Sequence, residues 1–126
     1  MAKEKAGNLT KLELKIMQVI WRRGASTVSE VQEELKPEPA YTTVQTIMNI
    51  LERKGKLQRE LQGRAFLYSA KLTEAKALGH AIHDLVERMF GGSSEALVMN
   101  LLETRQIDAK KIAELTKRLD KKGGKQ

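Results

Sequence analysis

The chain has 126 residues, of which 40% are hydrophobic and only 4% aromatic; it has no cysteine and a formal charge of +7. That length accommodates one small domain with an oligomerisation arm, and its modest aliphatic core is of the kind that dimerisation reinforces. The missing cysteine excludes disulfides, thiolate metal sites and cysteine nucleophiles, while the basic balance points to a polyanionic partner, either nucleic acid or an anionic membrane surface.

Residues 1–8 carry charges but no apolar stretch and read as a disordered lead. No apolar run approaches spanning length, so the chain reads as cytoplasmic, without membrane insertion. A capping box, Thr10-x-x-Glu13, opens the first predicted helix, with Leu9 and Leu14 placed for a hydrophobic staple. Leu12, Ile16, Val19 and Ile20 recur at helical spacing, and Gly24 closes the helix behind Arg22 and Arg23. A second box, Thr27 and Glu30, starts a helix with Val28, Val31 and Leu35 on its inner stripe and Pro37 and Pro39 as its stop. Between the two, Ala25-Ser26-Thr27 is able to pair as a small strand. The third helix is expected from about Tyr41 to Lys54, stopped by Gly55, with the poor capping residue Ala40 at its N-cap. At 100° per residue Val44, Ile47, Met48 and Leu51 line one face, and Thr42, Thr46, Asn49 and Arg53 the opposite one.

Two strand-like runs follow, residues 56–61 and 64–69, with Gln62-Gly63 as the tight turn. Three helices and a hairpin in this order predict a winged helix-turn-helix over residues 9–71. A fourth helix, from about Thr73 to Phe90, carries Leu78, Ile82, Leu85, Val86 and Met89 on one stripe. Gly91-Gly92 breaks the chain. Ser93 or Ser94 caps a fifth helix bearing Leu97, Val98, Leu101 and Leu102; Asp108 caps a sixth bearing Ile112, Leu115 and Leu119. These three helices, residues 72–120, are too few to enclose a core of their own and are expected to bury their stripes against a second copy of the chain. Residues 121–126 read as a disordered tail. The fold class is therefore mostly α with a small β wing, a winged helix-turn-helix domain followed by a C-terminal helical dimerisation arm.

The charge is concentrated in the N-terminal part: residues 1–71 carry +5 net and residues 72–126 carry +2, with Arg53, Lys54, Lys56, Arg59 and Arg64 clustered around a single acid, Glu60. A recognition helix presents its N-terminal half to base edges in the major groove. Thr42 and Thr46 suit hydroxyl and thymine-methyl contacts, Asn49 suits a bidentate pair with adenine, and Arg53 suits a phosphate. Tyr41, Thr43 and Gln45 flank this face. Lys11, Thr27 and the N-terminus of the second helix suit phosphate on the near strand, and Arg59 and Arg64, expected to flank the hairpin turn, suit the minor groove. Such a polar face taken alone is most simply a solvated surface; the helix order, the basic hairpin and the local charge turn the reading towards DNA.

The quoted residues also carry a family resemblance. Leu9-Thr10-x-x-Glu13-Leu14-x-Ile16-Met17-x-x-Ile20-Trp21, Thr27-Val28-x-Glu30-Val31, Ala40-Tyr41-Thr42-Thr43-Val44-x-Thr46, Lys54-Gly55 and Gly63-Arg64-Ala65-x-x-Tyr68 follow one another in register as in the penicillinase and methicillin-resistance repressors. Phe90-Gly91-Gly92-Ser93 and the helices beyond continue the similarity. The resemblance implies a homodimer on a palindromic double-stranded operator with TACA and TGTA elements, the third helix in the major groove and interlocked C-terminal helices. It implies release when a membrane sensor-protease signal, prompted by a β-lactam or cell-envelope stress, leads to a cut in the dimerisation region. The family's Asn-Phe bond falls on Asn100-Leu101, where Leu replaces Phe. The paired C-terminal cysteines of the copper-responsive branch are missing.

Other residues have simpler readings. Trp21 is expected to pack beneath the wing and the third helix, and Met17, Met48, Met89 and Met99 to fill the core. His80, His83, Asp84 and Glu87 share one helix face and would suit zinc or nickel, but that face lies opposite the apolar stripe and reads first as solvated surface. No nucleophile–base pair, phosphate loop or carboxylate cleft is present, so no enzyme activity and no cofactor are expected. The rival readings are a metal-responsive regulator and a winged helix serving only protein contacts.

Overall fold

The computed structural model describes residues 9–123. Its elements are α1 (Lys11–Arg23), α2 (Val28–Leu35), α3 (Tyr41–Arg53), β1 (Leu57–Gln62), β2 (Ala65–Ala70), α4 (Glu74–Met89), α5 (Ser94–Glu103) and α6 (Ala109–Gly123). The expected N-terminal lead lies outside the described residues. Of the expected tail, Lys121 and Lys122 instead continue α6, which ends at Gly123. The chain forms two compact units, one ending at Ala81 and the other beginning at Ile82.

In the first unit both predicted capping boxes are complete. The Thr10 hydroxyl accepts from Glu13 N at 3.1 Å while the Glu13 carboxylate accepts from Thr10 N at 2.9 Å; Thr27 and Glu30 repeat the arrangement at 3.2 and 3.0 Å. Each satisfies two otherwise orphaned N–H groups and fixes where its helix begins. The apolar stripes then converge: Ile16, Met17, Val19 and Ile20 of α1, Val28 and Val31 of α2, Val44, Met48 and Leu51 of α3, Leu57 of β1 and Tyr68 of β2 form one core. Burying each such aliphatic side chain stabilises by about 1.5–3 kcal/mol.

The hairpin is antiparallel, with Leu57 opposite Ala70 and Gln62 opposite Ala65. Its two-residue turn is Gly63-Arg64, one residue later than Gln62-Gly63. Gly63 has φ +64°, and no non-glycine residue in the turn has positive φ. A turn of this pattern wants glycine at its first central position; a turn centred on Gln62-Gly63 would ask a residue with a Cβ to take that conformation. The shift by one turn residue moves cross-strand pairing by two, so Arg59 faces Tyr68 rather than Phe66. Ser26 adds a third strand position, exchanging N–H···O bonds of 2.9 and 2.8 Å with Tyr68. Trp21 packs against the core and donates its indole N–H to Leu72 O at 2.9 Å, pinning the exit from the wing to α1.

The second unit is built on caps and glycines. Gly91 and Gly92 both have positive φ and end α4. Ser93 Oγ accepts from Ala96 N at 3.0 Å and Asp108 Oδ1 from Lys111 N at 2.8 Å, opening α5 and α6. Of the apolar residues expected at a dimer face, Val86 is buried within the single chain and Leu97, Leu101, Leu102 and Ile112 are half-buried. Leu78, Ile82, Leu85 and Met89 along α4, and Val98, Leu115 and Leu119 beyond it, are exposed; Met89 and Leu119 reach 69% and 67%. Met99 is exposed rather than core-filling, and so is Met89.

Candidate nucleic-acid interface

The site begins with how α3 is set. Val44, Met48 and Leu51 are fully buried, which fixes the rotation of the helix and turns Tyr41, Thr42, Thr43, Gln45 and Thr46 outward, all exposed. Ala40 occupies the N-cap and makes no side-chain cap bond. A methyl group there leaves the first-turn N–H groups and the positive end of the helix dipole open to an outside anion. Arg53, in the last turn, is also exposed, while Lys11 is exposed on the first turn of α1. Thr27 is half-buried and its oxygen serves as the α2 cap.

The basic cluster of the sequence is divided by the fold. Lys56 is buried. Lys54 Nζ lies 3.1 Å from Glu13 Oε2, tying the end of α3 to the start of α1. Burial raises the Glu13 carboxyl, but the Thr10 N–H, the Lys54 ammonium and the charge of Lys56 together outweigh it and hold the group below its ordinary range. Arg22 and Arg23 are engaged by Glu34 and Glu30 of α2. Arg53 and Arg64 remain exposed, with Arg64 at the tip of the wing.

Asn49 and Arg59 do not sit as expected. Asn49 is half-buried, and its Oδ1 accepts from Arg59 Nη1 at 2.9 Å and from the Tyr68 hydroxyl at 2.8 Å. Both lone pairs are taken, so the acceptor needed for a bidentate adenine pair is already occupied. Arg59 does not flank the turn: it stands mid-strand, its Cζ 4.2 Å from the centroid of the Phe66 ring, with Nη1 3.5 Å from the Tyr68 hydroxyl. That hydrogen bond shifts the Arg59 pKa upward. Sequence periodicity found neither this cluster nor the Glu13–Lys54 pair, because both join residues from different elements; the glycine position in the turn was the available signal for the Arg59–Tyr68 pairing.

On α4, Asp84 pairs with Arg88 at 3.2 Å, and among the described residues no group of three or more His, Asp and Glu side chains is placed to hold a metal.

Comparison with known proteins places this architecture. The penicillinase repressor family pattern matches residues 9–121. The chain belongs to the penicillinase repressor family. A penicillinase repressor of Bacillus licheniformis is 30% identical over 114 residues, covering 89% of each chain. The methicillin resistance regulatory protein MecI of Staphylococcus aureus is 22% identical over 120 residues, covering 94% of this chain and 98% of the relative. Among solved structures, the DNA-binding domain of the repressor BlaI superposes with a TM-score of 0.52 at 30% identity, covering 59% of this chain and 93% of that domain. The family membership and this likeness agree with the winged helix-turn-helix read from the residues.

Proposed function

We propose that the protein is a transcriptional repressor that binds a palindromic double-stranded DNA operator as a homodimer. The observation that carries this is the setting of α3: three fully buried residues lock its rotation while Thr42, Thr43, Gln45 and Thr46 stand exposed beside an N-terminus without a side-chain cap. Thr42 and Thr46 read base edges, Tyr41, Thr43 and Gln45 support them at the groove edge, and Arg53, Arg64, Lys11 and the α2 entrance at Thr27 hold phosphates. The work is binding rather than catalysis, and no cofactor takes part.

The exposed residues of α4, α5 and α6 form the dimer contact; stripes this apolar are otherwise unfavourable on a monomer surface. Residues 9–71 serve as the reading domain and 72–120 as the dimerisation arm. No described helix is long and apolar enough to cross a membrane; the protein acts in the cytoplasm, and a membrane sensor-protease reaches it there. Release by proteolysis falls at Asn100-Leu101, in the last turn of α5, where Asn100 is exposed.

The test is a titration against a duplex selected from a random pool and against mixed-sequence DNA at several salt concentrations. A repressor gives salt-dependent binding to both with marked preference for the selected duplex. A winged helix that serves only protein contacts gives no salt-dependent DNA binding, and that result would remove this reading.

A further inference from the structure

The cluster joining α3 to the wing has an order of dependence. Arginine offers only donors, so the Asn49 amide must turn its oxygen towards Arg59; the Tyr68 hydroxyl fills the second lone pair of that oxygen. Tyr68 itself is 2% exposed and held through its backbone to Ser26, which makes it the fixed point of the set. Phe66 meets Tyr68 edge-on, with ring centroids 6.5 Å apart, and carries the Arg59 guanidinium on its face. The guanidinium is thus held at one edge by Asn49 and on one face by Phe66, while the side chain stays exposed. Among the described residues no acceptor is hydrogen-bonded to its Nε or Nη2. Holding a flexible cation in place before its ligand arrives removes the ordering cost of binding.

We propose that Arg59 is a preset contact for a DNA phosphodiester at the junction of α3 and the wing, and that Asn49 is its positioning residue, contributing to affinity without reading a base. The proposal rests on the DNA-binding reading above. A planar guanidinium with free donors on one side matches two phosphate oxygens. Its place between the helix that enters the major groove and the hairpin that follows the minor groove is where a backbone strand must pass.

The experiment uses the full chain, a duplex selected from a random pool and mixed-sequence DNA, with Arg59→Ala, Asn49→Ala, their double substitution and Tyr68→Phe. Arg59→Ala should weaken binding to both DNAs about tenfold at 0.1 M salt and lower the salt slope by about 0.9, the share of one phosphate. Asn49→Ala should lose affinity for both DNAs in the same proportion, keep the base preference, and add nothing to Arg59→Ala. Tyr68→Phe keeps the buried ring and should give a smaller loss in the same direction, so a folding defect in Asn49→Ala would not obscure the outcome. An Asn49→Ala protein that relaxes preference at one base pair, keeps its mixed-DNA affinity and adds to Arg59→Ala would overturn the proposal and restore Asn49 as a base reader. Wild type without salt-dependent binding would instead overturn the DNA-binding reading on which it stands.

Discussion

Thr46 lies one turn beyond Thr42 on α3, and both are exposed while Val44 and Met48 beside them are fully buried. Replacing Thr46 removes an exposed hydroxyl and methyl that belong to no buried cluster among the described residues. Thr46→Ala should therefore keep the melting temperature and the mixed-DNA affinity yet lose about 1–3 kcal/mol at the selected operator. Equal operator preference in mutant and wild type, measured by competition binding, would take Thr46 off the reading face. Arg64 differs in kind. It stands exposed at the wing tip, on the two-residue turn. Arg64→Ala should weaken all duplexes alike and reduce the salt slope by about one; an altered base preference with an unchanged slope would place it at a base edge instead.

At the level of elements, the Glu13–Lys54 contact clasps the start of α1 to the end of α3. Glu13 is 3% exposed and also closes the α1 capping box, so one carboxylate serves two elements. Its folded pKa is depressed, and the native state therefore binds fewer protons than the unfolded chain once the pH nears 4.5, the ordinary value. The resulting stabilisation is complete above that value and is lost as the pH falls through the lower folded pKa. Thermal melts from pH 7 to pH 3 should show wild type losing stability more steeply below pH 4.5 than Glu13→Gln. At pH 7 that variant should be less stable by about 1 kcal/mol, a low figure because Lys54 is one-third exposed. Parallel pH profiles for the two proteins would show that the clasp contributes nothing through its charge.

Across the whole molecule, the single chain leaves apolar side chains of α4, α5 and α6 exposed, Leu85 at 42% among them. Because Leu85 is not part of the buried core, Leu85→Asp should spare the fold of the chain while placing a carboxylate in the proposed dimer contact. Sedimentation should then give a monomer at micromolar concentration, and operator affinity should fall about a hundredfold as two linked half-site contacts become one. Leu101→Asp should act in the same direction. A wild-type protein that sediments as a monomer at that concentration would exclude the proposed assembly.

Much of this molecule follows from local chemistry. Thr10 with Glu13 and Thr27 with Glu30 set two helix starts, Gly24 and Gly91-Gly92 set stops, and the 3.6-residue spacing of Val44, Met48 and Leu51 sets the rotation of α3. These are decided within a turn or two of chain, where periodicity and capping operate. The family resemblance was equally open to reading because its residues recur in order along residues 9–70. The fate of the charges was not local. Lys54 and Glu13 are 41 positions apart, and Asn49, Arg59, Phe66 and Tyr68 come from α3 and both strands of the wing. Which basic residues are spent inside the fold, and which face outward, depends on strand register and on the packing of α3 over the hairpin. A hydrogen bond forms between atoms within about 3 Å in space, whatever their separation in sequence, so only the tertiary structure could decide that Asn49 faces Arg59 and Tyr68.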